Sequence, residues 1–443
     1  MTRPCRFARA RFVVPEGGAH ALAHDSGRLG RRALLAGSAA LAAGCGRRTR
    51  DERGRVKLRF WYTLGGRNRE VLLEIVRRFH ETQDEVRVEA VYQGDYFESL
   101  AKLRTAIAAK AAPALSHVVA EVVPYLARAG TLEPLDAYPG MKAIPFVRAL
   151  SQEGAFRGGA GAPLYGVPLN RSTPLMYCNG ELFAKEGLRP PGTWDDMKRL
   201  ARMLTRPGER WGHEVPISWW FWVALVGQAG GAVFDEAGRP TLGGEAGVRA
   251  LRLWQDMIHR EHVMRPPPGR DYDAWNVTNQ DFLGGRAAFI WTSTAYIRYL
   301  EDNAKFPVVA APLPRDVRAS VPTGGTFFVV VKDAPDEEKA AAARFLRFFC
   351  ETEQAAYVST RTGYLPITVP AVEKMRADGF FVKHPNDDVA QRQLASVDPW
   401  PWEPMLFRIE RDVVDPRLEE AVLLDRDAAR VLEQARVLAS RPG

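Results

Sequence analysis

Apolar and polar residues alternate over short stretches of this chain, and between those stretches the apolar spacing lengthens to that of a helix. Val56-Lys57-Leu58-Arg59-Phe60-Trp61 alternates apolar with mostly basic positions, the period-two pattern of a strand. Residues 69–80 place Leu72, Ile75, Val76 and Phe79 three or four apart, which predicts a helix. Val86-Arg87-Val88-Glu89-Ala90-Val91 alternates again, Tyr96 to Ala112 returns to helical spacing, and His117-Val118-Val119-Ala120 is a third short apolar run. Strands taking turns with helices predict an α/β chain with a mainly parallel sheet flanked by helices.

A Gly/Pro-rich break at 154–168 interrupts the pattern and ends at Tyr165-Gly166-Val167-Pro168. Beyond it, Leu175-Met176-Tyr177 starts a new strand. Thr193 stands where it can cap a helix, with Asp196 three residues on, close to a capping box. Residues 246–259 predict another helix, and Pro307 to Pro314 a strand and loop. Phe327 to Val331 is an unbroken apolar run after Gly324-Gly325, suited to a strand covered on both faces. Asp336 to Phe349 and the charged tail from 371 are predicted helical.

At 443 residues and 46% apolar, the chain can bury more than one core. Its net charge of +8 is uneven: residues 1–45 hold seven arginines against Glu16 and Asp25, a surplus of +5, which leaves +3 for the rest. With no basic helix or RNA-binding signature, nucleic acid is not an expected partner. The cysteines Cys5, Cys45, Cys178 and Cys350 form no CxxC or Cys/His cluster, so no zinc site, and no other metal or cofactor, is expected. Cys178 and Cys350 are either two buried thiols or a pair formed after export.

Residues 31–45 read as an export signal: Arg31-Arg32 before Leu34-Leu35, an apolar run of small residues, then Leu41-Ala42-Ala43-Gly44-Cys45. The run is shorter than the roughly 20 residues a membrane span needs. The arginine pair resembles a twin-arginine leader. The small residues before Cys45 resemble a lipoprotein cleavage box, although Leu41 stands one position further out than the usual leucine. Cys45 is thus the expected lipid attachment, a plain cleavable leader being the alternative, and residues 1–28 fit an over-extended start.

The segment Tyr165-Gly166-Val167-Pro168-Leu169-Asn170-Arg171-Ser172-Thr173-Pro174-Leu175-Met176-Tyr177-Cys178-Asn179 resembles a hallmark of bacterial extracellular solute-binding proteins of the maltose-binding type. Pro191-Gly192-Thr193-Trp194-Asp195-Asp196, Gly284-Gly285-Arg286-Ala287-Ala288-Phe289 and Thr323-Gly324-Gly325 are similar to that family in order and spacing. Tyr92-Gln93-Gly94-Asp95-Tyr96, Thr362-Gly363-Tyr364-Leu365-Pro366-Ile367-Thr368 and the stretch Gly379 to Leu394 resemble its sn-glycerol-3-phosphate binders.

The resemblance implies a two-lobe periplasmic-binding-protein fold of type II, with the ligand cleft between lobes: 46–168 plus 307–350 as lobe 1, and 169–306 plus 351–443 as lobe 2. It implies the solute-binding subunit of an ABC importer, not an enzyme, exported to the periplasm or outer membrane face. The subunit would be a monomer that takes sn-glycerol-3-phosphate or a related glycerophosphodiester, closes on it and docks on a permease. Tyr96, Glu121, Ser172, Ser293, Gly325, Tyr364 and Arg411 fall on the implied ligand contacts.

A phosphorylated polyol needs donors for phosphate, acceptors for hydroxyls and an aromatic surface for its C–H faces. Gly324-Gly325-Thr326 and Arg411 suit the phosphate, with Arg408 a rival to Arg411. Glu121 suits hydroxyls, and Ser293 competes with Thr292 and Thr294. Of Trp219-Trp220-Phe221-Trp222, Trp220 is expected as the stacking wall. Arg171 reads as a further cation near the cleft and Cys178 as a packing substitution. A neutral sugar is the alternative ligand. A secreted hydrolase is the more distant alternative, but no G-x-S-x-G, H-E-x-x-H or P-loop occurs. The acid pairs Asp195-Asp196 and Glu337-Glu338 read as helix-start charges.

Overall fold

A computed structural model describes residues 49–154, 162–242 and 244–441. The export signal, Cys5 and the expected lipid site Cys45 lie outside the described residues. Strands in chain order are β1 (Val56–Tyr62), β2 (Val86–Tyr92), β3 (Leu115–Val119), β4 (Gly166–Pro168), β5 (Pro174–Asn179), β6 (Trp211–Glu214), β7 (Met264–Arg265), β8 (Ala287–Ser293), β9 (Val308–Ala311) and β10 (Thr326–Val330).

Two five-stranded sheets result, ordered β2-β1-β3-β10-β4 and β7-β6-β8-β5-β9. The same plan builds both. Four strands run one way and one runs against them: β10 is antiparallel to β3 and β4, and β5 is antiparallel to β8 and β9. Each reversed strand is the one the chain enters just after crossing from the other sheet. The crossings 169–173 and 312–325 lie side by side. Leu169 N–H donates to Thr326 O at 3.1 Å, and Ser172 and Gly324 exchange backbone hydrogen bonds of 3.1 and 2.8 Å.

The apolar run at β10 is buried on both faces, and its period of two sorts it between two cores. Phe328 and Val330 join the cluster of β1, the helix Gly66–Glu81 and the helix Asp336–Phe349. Phe327 and Val329 join the cluster beneath the helix Tyr96–Ala108. In the second sheet Met176 and Cys178 face the large tryptophan-rich core, while Leu175 and Tyr177 face the opposite side.

Local signals act as the sequence predicts at Thr193, whose hydroxyl accepts from Asp196 N–H at 3.1 Å and opens the helix Trp194–Leu204. The helix expected over 96–112 stops at Ala108, because Lys110 adopts φ +54 and Pro113 follows. Cys178 and Cys350 are free, buried thiols in separate cores.

Segment boundaries differ from the expected 307 and 350. β9 hydrogen-bonds to β5, so residues 308–311 belong to the second sheet and the crossing comes after them. Residues 352–381 pack on the first sheet, burying Ala355, Val358, Ala371, Met375 and Phe381 in its core. The chain returns only at the helix Pro385–Gln393, where Asn386 Oδ1 accepts from Ala310 N–H at 2.8 Å. Gly and Pro mark chain turns, but the edge that accepts a strand fixes its lobe. Among the described residues no helix is long and apolar enough to cross a membrane.

A buried charge cluster lies at the end of β6. Asp281 accepts from Arg265 Nη1 at 2.6 Å and from Arg286 Nε at 2.8 Å. Glu214, fully buried beside it, has its pKa pushed up to about 8 by burial, with the Asp281 charge adding to the effect. The folded form holds this proton after the unfolded chain has lost it, so stability falls as pH rises from about 4.5 toward 8. Glu214→Gln removes that loss. In urea unfolding it should gain about 2 kcal/mol over the parent at pH 8.5 and nothing at pH 4.

Candidate ligand-binding cleft

The carboxyl ends of β1, β2 and β3 and of β6 and β8 open toward one crevice, the place where open α/β sheets bind ligands. From the first sheet come the 63–65 loop and Asn68, then Asp95, Tyr96 and Phe97, and then Glu121 in the turn after β3. From the second come Ser293, Ala295 and Tyr296 after β8, with Trp220 and Trp275 from the helices Trp219–Gln228 and Asp271–Leu283. The crossings supply the floor, through Asn170, Ser172, Gly324 and Gly325. These groups enclose a cavity of about 470 Å³. A smaller compartment of about 210 Å³ adjoins it and shares Phe97, Trp220, Trp275 and Glu410.

Of the expected contacts, Tyr96, Glu121, Ser172, Trp220, Ser293, Gly325 and Tyr364 line the larger cavity. Arg411 lines the smaller compartment, its guanidinium over the Phe97 ring at 4.1 Å and 3.4 Å from Asp415. The rival Arg408 donates to Arg441 O at 3.0 Å and lines neither space. Thr292 and Thr294 are fully buried beside Ser293, whose hydroxyl accepts from Ala295 N–H at 3.1 Å. Trp219, Phe221 and Trp222 belong to the core, leaving Trp220 to face the larger cavity. Trp220 lies 5.3 Å from Trp275, which stacks on Tyr296 at 6.2 Å.

A buried polar chain holds the floor. Thr63 N–H donates to His117 Nε2 at 2.8 Å, so Nδ1 carries the ring proton and faces Thr326 Oγ1 at 2.8 Å. Thr326 Oγ1 donates to Asn170 Oδ1, and Asn170 Nδ2 donates to Tyr96 OH at 2.8 Å. Burial lowers the His117 pKa to about 3 and keeps the ring neutral. Tyr364 is buried beside this chain, where Asn68 Nδ2 meets its hydroxyl at 3.4 Å, and burial raises its phenol pKa.

Electrostatics separate the two compartments. The larger is lined by Asp95, Glu121 and Glu410 and by no lysine or arginine. Asp95 is spent on its helix, accepting from Phe97 and Glu98 N–H, both at 2.8 Å. Glu121 sits deep in the wall, and burial raises its pKa to about 7. Arg171, read from the sequence as a further cation near the cleft, is fully buried and does not line either compartment. It pairs with Glu153 at 3.2 Å. Trp275, Tyr296, Phe407 and Glu410 had no sequence signal, since each is a single residue in an otherwise ordinary segment. Asn170 lay inside a motif and was missed as a site residue.

Two sheets of one plan, with a cleft at their strand ends, are the architecture of the periplasmic-binding class. The chain matches the family model of bacterial extracellular solute-binding proteins over residues 74–386 and belongs to that family. It is 26% identical over 406 residues to the sn-glycerol-3-phosphate-binding periplasmic protein UgpB of Pectobacterium atrosepticum, covering 85% of this chain and 88% of that one. UgpB from Mycobacterium tuberculosis in complex with glycerophosphocholine has a TM-score of 0.78 at 24% identity, over 87% of this chain and 98% of that one. The GacH receptor of Streptomyces glaucescens, known with acarbose, has a TM-score of 0.76 at 19% identity, over 86% and 97%. The protein is therefore a solute-binding component of the ABC-transporter type, and its relatives are binding proteins rather than enzymes.

Gly325 carries the tightest constraint. At φ +95 a Cβ would sit 1.9 Å from Asn170 O. Gly325→Ala should cost at least about 2 kcal/mol in denaturant unfolding.

Proposed function

We propose that the protein captures a glycerophosphodiester, glycerol joined through phosphate to a second small group, and hands it to the permease of an ABC importer. The joined pair of compartments carries this reading. Glu121, Ser172 and Ser293 offer acceptors to glycerol hydroxyls, and Trp220 offers an aromatic face for its C–H edge. The Gly325 backbone N–H on one side and the Arg411 guanidinium on the other suit a phosphate between the compartments. The smaller compartment then has room for the second ester group. A diester carries one negative charge at neutral pH. Arg411 and Arg270, set among Glu410, Asp415 and Glu419, suit that better than the two charges of sn-glycerol-3-phosphate. The UgpB relatives, named for sn-glycerol-3-phosphate or seen with glycerophosphocholine, support glycerol-phosphate chemistry.

Capture closes the two lobes about the paired crossings, and the closed form docks on the permease. The leader exports the protein, and Cys45 anchors a monomer to the membrane by lipid. A neutral sugar is the second reading, favoured by the lack of any lysine or arginine around the larger cavity.

Isothermal titration of the purified protein with glycerophosphocholine, sn-glycerol-3-phosphate and maltose separates these readings. Glycerophosphocholine should bind most tightly, and Arg411→Glu should weaken it at least about 30-fold. Binding of maltose alone replaces the proposal with the sugar reading.

A further inference from the structure

The polar chain in the cleft floor has a direction, and two backbone groups fix it. At one end Thr63 N–H, which can only donate, meets His117 Nε2 at 2.8 Å, and the Thr63 hydroxyl meets the same nitrogen at 3.1 Å. Nε2 therefore accepts, and the ring proton sits on Nδ1, 2.8 Å from Thr326 Oγ1. Further along, Thr326 N–H, again only a donor, meets Asn170 Oδ1 at 3.0 Å. That settles which end of the Asn170 amide is oxygen. The Thr326 hydroxyl, accepting from His117, turns its own proton to the same Oδ1. The amide nitrogen then faces Tyr96, where Nδ2 donates to the phenol oxygen at 2.8 Å. Each link hands a donor to the next, and none can be reversed without leaving a backbone N–H unpaired in the interior. His117, Asn170 and Thr326 are buried, and the rings of His117 and Tyr96 stand perpendicular with centroids 6.1 Å apart.

This direction decides what the phenols lining the cavity can do. Tyr96 OH accepts from Asn170, so its own proton cannot point back along the chain. The Tyr364 hydroxyl is met by Asn68 Nδ2 at 3.4 Å, and Tyr96 and Asn170 bond to it as well. Two phenol oxygens thus receive donors from two amides, and they hold two protons between them. One proton can bridge the pair. The other has the cavity, which both tyrosines line, as its outlet. Gly325 lines the same stretch of wall, packed against Asn170 O.

We propose that Asn170 is a positioning residue for ligand capture: held by Thr326 with its amide nitrogen toward Tyr96, it makes the Tyr96–Tyr364 pair a hydrogen-bond donor into the cavity, and so selects a ligand oxygen that only accepts, such as an oxygen of a phosphate diester. This rests on the reading of the ligand as a phosphodiester. A charged acceptor gains more from such a donor than a neutral one does, and a ligand hydroxyl placed there leaves its own proton to find another partner.

The first measurements need no ligand. Nitrogen-15 NMR of histidine-labelled protein, with His117→Gln assigning the signal, should find the His117 proton on Nδ1. Carbon-13 NMR of ring-labelled tyrosine, with Tyr96→Phe assigning the Cζ signal, should show that signal move in Asn170→Ala. The third measurement is a double-mutant cycle read by isothermal titration with glycerophosphocholine. Tyr96→Phe and Asn170→Ala should each weaken binding by about 10-fold, and the double variant by no more than about 20-fold, against roughly 100-fold for independent losses. A merely structural role for Asn170 gives the independent result, because it does not act through the Tyr96 hydroxyl. If Asn170→Ala does not fold, Asn170→Asp takes its place in the cycle. Its carboxyl accepts from Tyr96 instead of donating, and the effect of its charge, present in both backgrounds, cancels. A proton on Nε2, an unmoved Cζ signal or independent losses overturns the inference. If glycerophosphocholine does not bind the parent, the functional reading fails, and the two ligand-free measurements still decide the role of Asn170.

Discussion

The structure depends on two crossing segments lying against each other at backbone distance. Ser172 and Gly324 pair through their own amides and carbonyls, and Gly325 comes so near Asn170 O that no side chain fits. That contact sets where the chain leaves one sheet and enters the other. It therefore makes β5 and β10 the reversed strands of their sheets. A pairing this close removes water from the groups around it, so each must find a protein partner. His117, Thr326 and Asn170 do so in one chain that ends on the Tyr96 hydroxyl. A satisfied buried network of this kind favours a single arrangement of its members.

Above this floor, the parallel strands bring their carboxyl ends to the same crevice, and side chains from distant parts of the sequence converge. Tyr96 and Trp275 are 179 positions apart in the sequence and line one cavity. The scaffold is shared with proteins seen with ligands as different as glycerophosphocholine and acarbose. The strands and their order hold the cleft open, while the loops decide what fills it.

Buried charge at the end of β6 and behind the first crossing meets different outcomes, and a further buried pair joins Arg298 to Asp387 at 2.6 Å. Asp281 takes both nearby arginines, and Glu214 is left to resist ionisation. Arg171 is held inside the crossing by Glu153, Thr323 Oγ1 and Leu150 O. Breaking such pairs one-sidedly is costly because the remaining charge has no water to turn to.

Much of the architecture was legible along the chain. The alternation at 56–61, the helical spacing at 69–80, the capping Thr193 and the double-sided apolar run at 327–331 each report local burial. Burial with a fixed period is what secondary structure imposes on sequence. The motifs around Asn170, Gly325 and Tyr364 marked the floor, because a backbone held at φ +95 leaves glycine as its sign. Only the tertiary structure decided which sheet edge received β9, that 352–381 stays with the first core, and that Arg171 turns inward to Glu153. It also put Arg411 in a side compartment and brought in Trp275, Tyr296 and Glu410. A residue's own period tells whether it is buried. Which distant group it is buried against is fixed by pairings between segments far apart in sequence, and those leave no mark on either segment alone.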